Sequence, residues 1–213
     1  MFNLIIMKKN DFIEIEYTLK IKDTSKVVDT TSEKIAKEND IFNPQEKYTP
    51  KIICIGQEQI LPSLEKELEG KELNKEYTII LPPEEAFGKK NPKLLQLVSM
   101  SHFKSQNINP YPGLHINLDN AMGIVRTVSP GRVIVDFNHP LSGRTIEYKV
   151  KILRKITDTK EQVTSILDSY HQHNLKLKIE NSELTIKKEI DKEIQKKILE
   201  LVPIIKKINV VKE

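Results

Sequence analysis

From residue 11 to 21 the chain alternates, with Ile13, Ile15, Tyr17, Leu19 and Ile21 on one side and Phe12, Glu14 and Glu16 on the other. A period of two with one apolar side predicts a strand that buries one face. A polar turn at 23–25 precedes residues 26–30, and the charged stretch to about Thr49 reads as a loop carrying a short helix over 32–38. Residues 51–55 predict a short strand. Residues 60–64 lead into a helix with Leu61, Leu64 and Leu68 on one face; Pro62 suits its first turn and Gly70 its C-terminal cap. Residues 76–81 predict another strand, stopped by Pro82-Pro83.

The character changes between 94 and 137. Leu95, Leu97, Val98, Met100 and Phe103 give way to Pro110-Tyr111-Pro112-Gly113, then to two apolar runs, 124–128 and 132–137, around Ser129-Pro130-Gly131. Those runs predict a hairpin. A turn at 138–143 leads to a last strand over 145–152 with Ile146, Tyr148, Val150 and Ile152 inward. The order implied is antiparallel β with one helix, interrupted by an insert.

Beyond Ile156 the composition shifts to Lys, Glu and Ile, which predicts a new unit. Asp158 caps a helix with Val163, Ile166, Leu167 and Tyr170 on one face. Two strands turn about Asn181-Ser182, a second helix carries Ile190, Ile194, Ile198, Leu201 and Val202, and residues 205–211 end as a strand. This unit is α-β-β-α-β. Fewer than 60 residues bury little core, so self-association through an exposed edge or face is expected of it.

Composition narrows the function classes. The 213 residues suffice for two to three small domains, and a net charge of +4 is too modest to imply nucleic-acid binding. A single cysteine, Cys54, excludes an internal disulfide; it reads as a small buried apolar side chain in a reducing compartment. The apolar stretch Leu4 to Met7 is too short for a signal peptide or a membrane span, so a cytoplasmic protein is expected. Leu4 to Ile6 could extend the first strand, or Met7 could be the true start.

Four segments, in order and spacing, resemble the FKBP-type peptidyl-prolyl cis/trans isomerases: Tyr17 with Val28-Asp29, then IGQEQILPSLEKELEG (55–70), PPEEAFG (82–88) and FNHPLSGRTIEYKVKIL (137–153). The turn at 138–143 after a long insert is similar to that of the SlyD-like branch, whose insert in the flap binds unfolded chains, and the extra C-terminal unit is similar in layout to the long archaeal-type members. The resemblance implies an α+β fold: an antiparallel β half-barrel wrapped on one helix (8–88 and 139–157), a β-rich insert-in-flap chaperone domain (89–138) and a C-terminal α-β-β-α-β domain (158–213).

The chemistry so implied is rotation about an X-Pro bond, whose barrier of about 18–20 kcal/mol comes from amide resonance. The twisted transition state has lost that resonance, so a dry pocket shaped to it lowers the barrier without nucleophile, metal or cofactor. By resemblance Tyr17 and Asp29 form a polar pair near the substrate carbonyl. Ile60 and Leu61 line the floor and offer a backbone N–H; Phe87 and Tyr148 are aromatic walls; Val28 and Leu64 complete the pocket. Taken singly, Leu64 is as well read as core and Asp29 as a turn residue. Phe87 stands where the motif has tyrosine, which removes a hydroxyl, and Leu64 stands where small family members have tryptophan, which puts tight macrolide binding in doubt.

The insert holds more large apolar residues than so small a core can bury. Leu95, Leu97, Met100, Phe103 and Met122 are therefore expected to hold unfolded or proline-containing polypeptides, the partners this reading implies, while Val98, Ile124 and Val125 read as the insert's own core. No metal site is expected: His171 and His173 do not share a helix face, and His102, His115 and His139 are scattered. Glutamates and aspartates interleave with the C-terminal lysines, as on a solvated face. Two alternatives stay open beside an isomerase with chaperone activity: a holdase with a decayed pocket, and an adaptor whose C-terminal domain binds the ribosome or another acidic partner.

Overall fold

The first alternating segment forms β1 (Phe12–Ile21) in a computed structural model that describes residues 6–118 and 120–211. β2 (Val27–Thr30) follows, and Ser32 caps the short α1 (Glu33–Glu38) by accepting from the Ile35 N–H. Next come β3 (Lys51–Cys54) and α2 (Pro62–Leu68). Pro62 opens α2 where its missing N–H leaves nothing unsatisfied, and Gly70, at φ +76°, makes the left-handed exit from it. β4 (Glu76–Leu81) ends at Pro82.

The insert contributes β5 (Leu95–Ser99), α3 (Met100–Ser105), β6 (His115–Leu118), β7 (Ala121–Ser129) and β8 (Arg132–Asp136). β9 (Ile146–Lys155) returns, followed by α4 (Thr159–Ser169), β10 (Leu177–Glu180), β11 (Glu183–Ile186), α5 (Lys192–Leu201) and β12 (Lys207–Val210). The result is a mixed α+β fold with mostly antiparallel sheets and few helices. It divides into two compact units, Met1–Leu81 with Ile146–Glu213, and Pro82–Thr145.

In the first unit the sheet runs β2-β1-β9-β4, all antiparallel, with β3 pairing the first half of the β1 edge that β2 occupies further on. Tyr17 lies opposite Val150, Leu19 opposite Tyr148, and Tyr148 opposite Ile79, so these side chains share a face. Leu64 and Leu68 of α2 are fully buried beside β4. Leu4 and Ile5 lie outside the described residues; Ile6 forms an isolated bridge with Glu72 instead of joining β1.

Phe12 corrects the simple alternation. Grouped by period with Glu14 and Glu16, it is only 2% exposed. The reason is a second core: Phe12, Cys54 and Ile156 pack with Val163, Ile166, Leu167, Leu184, Ile198 and Ile205. Residues of β1 and β3 thus close the C-terminal α-β-β-α-β module, whose own apolar content is too small to do so. In that module β10 and β11 turn through Asn181 and Ser182, both at positive φ as a two-residue hairpin requires, and α5 crosses over to set β12 parallel to β11. Burial, with the neighbouring Glu65 carboxylate second, pushes the Cys54 thiol up to about 12 and keeps it protonated.

The second unit is a four-stranded antiparallel sheet, β5-β8-β7-β6. One face packs on α3, where Phe103 is fully buried with Ile116, Leu118, Val125, Val133 and Val135. Gly123 is required on that face, since a Cβ there would lie 2.7 Å from Val135 Cγ1 and 2.8 Å from the Phe137 ring.

Candidate active site

On the shared face of β1, β2 and β9 the Tyr17 hydroxyl donates to Asp29 Oδ2 at 2.7 Å, and Lys51 Nζ donates to the Tyr17 oxygen at 2.8 Å. Tyr148 meets Tyr17 edge to face, with centroids 5.8 Å apart. Both rings are almost fully buried. Burial first, and the Asp29 charge after it, push both phenols well above the ordinary tyrosine range, so each stays a hydroxyl that can donate. The Tyr148 hydroxyl has no hydrogen-bond partner among the described residues.

Local structure explains this placement. Two buried threonines fix the Tyr17 backbone: its N–H donates to Thr31 Oγ1 at 3.0 Å, and its carbonyl accepts from Thr30 Oγ1 at 3.1 Å. Asp29 sits opposite Leu19, and the register shifts between Leu19 and Lys20, whose partner is Val27. Val28 is the extra residue of that bulge, half-buried and freed from strict alternation with Asp29.

The loop before α2 is built on one carboxylate. Glu65, 2% exposed, accepts from the N–H groups of Gly56 (2.8 Å) and Glu58 (3.1 Å) at Oε2, and of Gln59 (2.6 Å) and Ile60 (3.2 Å) at Oε1. This narrows the expectation for the floor. The Ile60 N–H is occupied by Glu65, whereas the Leu61 N–H has no partner among the described residues. Ile60 and Leu61 are half-buried; Leu64 is a correction, since it is fully buried as a core residue of α2 and does not line the pocket. Sequence reading missed both Lys51 and Glu65. A carboxylate following Pro62-Ser63-Leu64 signals only a helix start, and nothing in the apolar pattern marks it as buried.

Phe87 lies in the second unit. Its ring stacks on His139 at 4.6 Å and 3°, its carbonyl accepts from Ser142 Oγ at 3.0 Å, and the Gly88 carbonyl accepts from the Gly143 N–H at 2.8 Å. His139 also orders its own turn, its Nδ1 accepting from the Leu141 N–H at 3.2 Å. Above it Asp136, 2% exposed, accepts from Asn138 through side chain and backbone and from Arg126 at 2.8 Å, with Lys90 at 3.5 Å. Burial alone would raise this carboxyl, but the Asn138 and Arg126 hydrogen bonds outweigh it and hold it at about 2. A depressed carboxyl stabilises the fold above its unfolded pKa and loses that contribution as pH falls through the folded value. The second unit should therefore lose stability between about pH 4 and pH 2, and Asp136→Asn should flatten that slope in acid-unfolding curves followed by insert-specific amide signals.

Among the expected client-binding residues, Leu95 (44%), Leu97 (63%) and Met122 (65%) are exposed. Leu97 pairs with the exposed Ile134, and Leu95 with Asp136, on the sheet face away from α3. Phe103 and Met100 are corrections. Phe103 is the centre of the insert's core and Met100 packs against it, because α3 turns both toward the sheet. Among the described residues no group of three or more His, Cys, Asp or Glu is placed to hold a metal.

Residues 5–104 match the family described as FKBP-type peptidyl-prolyl cis-trans isomerase, and residues 96–141 match the FKBP26 IF domain. The chain is 31% identical over 152 residues to the short-type peptidyl-prolyl cis-trans isomerase of Methanocaldococcus jannaschii, spanning 71% of this chain and 94% of that protein. The chain belongs to the FKBP-type peptidyl-prolyl cis-trans isomerase family. Similarity extends to the FKBP-type 16 kDa isomerase of Escherichia coli, 28% identical over 69% of this chain and 92% of that one. It extends also to the FKBP-type isomerase SlyD of Helicobacter pylori, 29% identical over 74% of this chain and 77% of that one. The FKBP match includes Tyr17, Asp29, Ile60, Leu61, Leu64 and Phe87; Leu97 and Met122 lie in the IF match, and Tyr148 lies beyond both. Among the described residues no helix is long and apolar enough to cross a membrane.

Proposed function

We propose that the chain accelerates rotation about X-Pro bonds in unfolded or partly folded polypeptides on the face that joins Tyr17, Asp29, Tyr148 and the Leu61 N–H. The observation that carries this is the Tyr148 hydroxyl, which has no partner among the described residues, set edge to face with a Tyr17 ring whose hydroxyl is already oriented by Asp29 and Lys51; the Leu61 N–H, also without a partner among the described residues, joins the site by family resemblance. The unpartnered donors hold the substrate backbone through its carbonyls. Apolar Ile60, Leu61 and the tyrosine rings exclude water from the prolyl ring. As the amide twists, its oxygen loses charge and needs water less, so the dry surface favours the twisted form over the planar one.

The test is kcat/KM on a short X-Pro peptide together with thermal unfolding. Tyr148→Ala and Asp29→Leu should each lower turnover about tenfold, the scale of one lost hydrogen bond in a dry site, while both variants stay folded. Unchanged turnover in both would remove these residues from the site.

A chaperone role for the insert is the second part of the proposal, favoured by the exposed stripe of Leu95, Leu97, Met122 and Ile134. Methionine and the open edge of β5 suit extended apolar segments of unrelated sequence. A homodimer through the C-terminal module is a weaker part of the proposal, since its core is closed within the chain; among the described residues Leu199 (40%), Ile204 (59%) and Val211 (47%) are the large apolar side chains it exposes. A cytoplasmic setting fits the lone thiol.

A further inference from the structure

The C-terminal module leaves an open groove along β3. One edge of β3 pairs with β1, and the Ile55 N–H donates to the Asp11 carbonyl on that side. In an antiparallel pair alternate residues turn their backbone groups away from the partner, here Ile52 and Cys54. Gln59 Oε1 accepts from the Cys54 N–H at 2.6 Å. The Ile52 backbone has no partner on the outer side among the described residues. An unpaired N–H and carbonyl therefore face a groove of about 820 Å³, whose far wall is the end of α4 and residues 171–177. Ile52, Leu175 and Leu177, all half-buried, give it an apolar floor.

Its lining carries charges of both signs, with the carboxylates more committed to local partners than the lysines. Of the acidic residues lining it, Asp168 lies within hydrogen-bond distance of the His173 ring (2.9 Å), Asp158 caps α4 by accepting from the Glu161 N–H, and Glu161 is held by Arg154. Lys47 and Lys160 line the same groove and have no carboxylate partner among the described residues. At the groove's end stands Lys51, whose ammonium bonds the Tyr17 hydroxyl at 2.8 Å. Lys51 thus touches both the groove and the Tyr17 hydroxyl of the proposed prolyl face.

We infer that this groove is a second subsite for the client. An extended stretch of the same polypeptide, a few residues from the prolyl bond, pairs with the open backbone of Ile52, seats an apolar side chain on Leu175 and Leu177, and brings an acidic side chain to Lys47 or Lys160. The inference rests on the isomerase reading and supplies its flanking-sequence preference: apolar and acidic residues near the proline. Tethering by a second contact raises the local concentration of the X-Pro bond at the pocket, so longer substrates gain where tetrapeptides do not.

Two measurements on the full chain decide it. The first uses a peptide of about ten residues carrying an X-Pro bond, a benzoylphenylalanine and two glutamates, photo-crosslinked and mapped by mass spectrometry. Crosslinks should fall on residues 47–53 or 171–177 and drop about fivefold in the K47E/K160E variant, as two exposed charge pairs imply. The second compares kcat/KM for an X-Pro tetrapeptide and for the long peptide. In K47E/K160E, and in Thr164→Trp, which fills the groove, the long peptide should lose its advantage while the tetrapeptide is turned over as before. Crosslinks confined to 82–145, or equal losses on both substrates, would overturn the groove. Absence of tetrapeptide turnover by the unmodified chain would instead sink the isomerase reading, leaving the crosslink map to judge the groove by itself.

Discussion

Glu65→Leu should destabilise the first unit by roughly 3–5 kcal/mol and abolish most X-Pro turnover. Four backbone N–H groups, those of Gly56, Glu58, Gln59 and Ile60, converge on this carboxylate. Leucine matches the volume but accepts nothing, and each orphaned donor costs about 1–3 kcal/mol if it stays buried. Part of that is recovered as the loop opens to water, which is why the net figure is smaller than the sum. Opening the loop also displaces Leu61, whose N–H adjoins the anchored Ile60 and begins α2. Glu65→Gln keeps one oxygen with two lone pairs, so it should fall between the two in both readouts. Urea unfolding gives the stability and a tetrapeptide assay the turnover. A Glu65→Leu protein of native stability would mean that packing, not the carboxylate, shapes the loop.

The second large effect is expected in refolding. Replacing residues 94–137 by a short loop should cut catalysis of a proline-limited refolding reaction by about a hundredfold, while tetrapeptide isomerisation falls only a few-fold, because a tethered client is presented at high effective concentration. A sharper variant leaves the insert folded. Leu97 and Met122 are more than 60% exposed on the face away from α3, so Leu97→Asp with Met122→Asp spares the Phe103 core and removes the apolar stripe. It should reproduce most of the refolding loss. Equal losses on the two substrates in the deletion would mean that the insert only supports the flap.

How much of this was legible in the sequence depended on range. Alternation in β1 and β9 gave the correct inward residues because each strand's pattern is written within ten residues and one face is buried throughout. Pro62 and Gly70 marked the ends of α2 for equally local reasons. Phe12 was misgrouped because the surface that covers it, from Val163 to Ile205, lies far along the chain and on the opposite side of the strand. For Phe103 the difficulty was different: apolar density reveals that an insert has surplus surface, but which side chains form the core depends on how α3 lies against the sheet. Tyr17 and Asp29 could be paired by resemblance; Lys51 could not, since a lysine at a strand start gives no sign that its ammonium meets a buried phenol.

The shared core around Phe12 also sets the order in which this protein can be made. Phe12 leaves the ribosome early, yet its neighbours Ile156, Val163 and Ile205 follow more than a hundred residues later, and β9, the central partner of β1, comes late as well. Long sequence separation makes such contacts slow to form. The insert has no such delay, because β5 to β8 pair within residues 95–136. During synthesis, then, the segment proposed to hold unfolded chains is complete while β1 to β4 still wait for β9, and the nearest client it meets is the earlier part of its own chain.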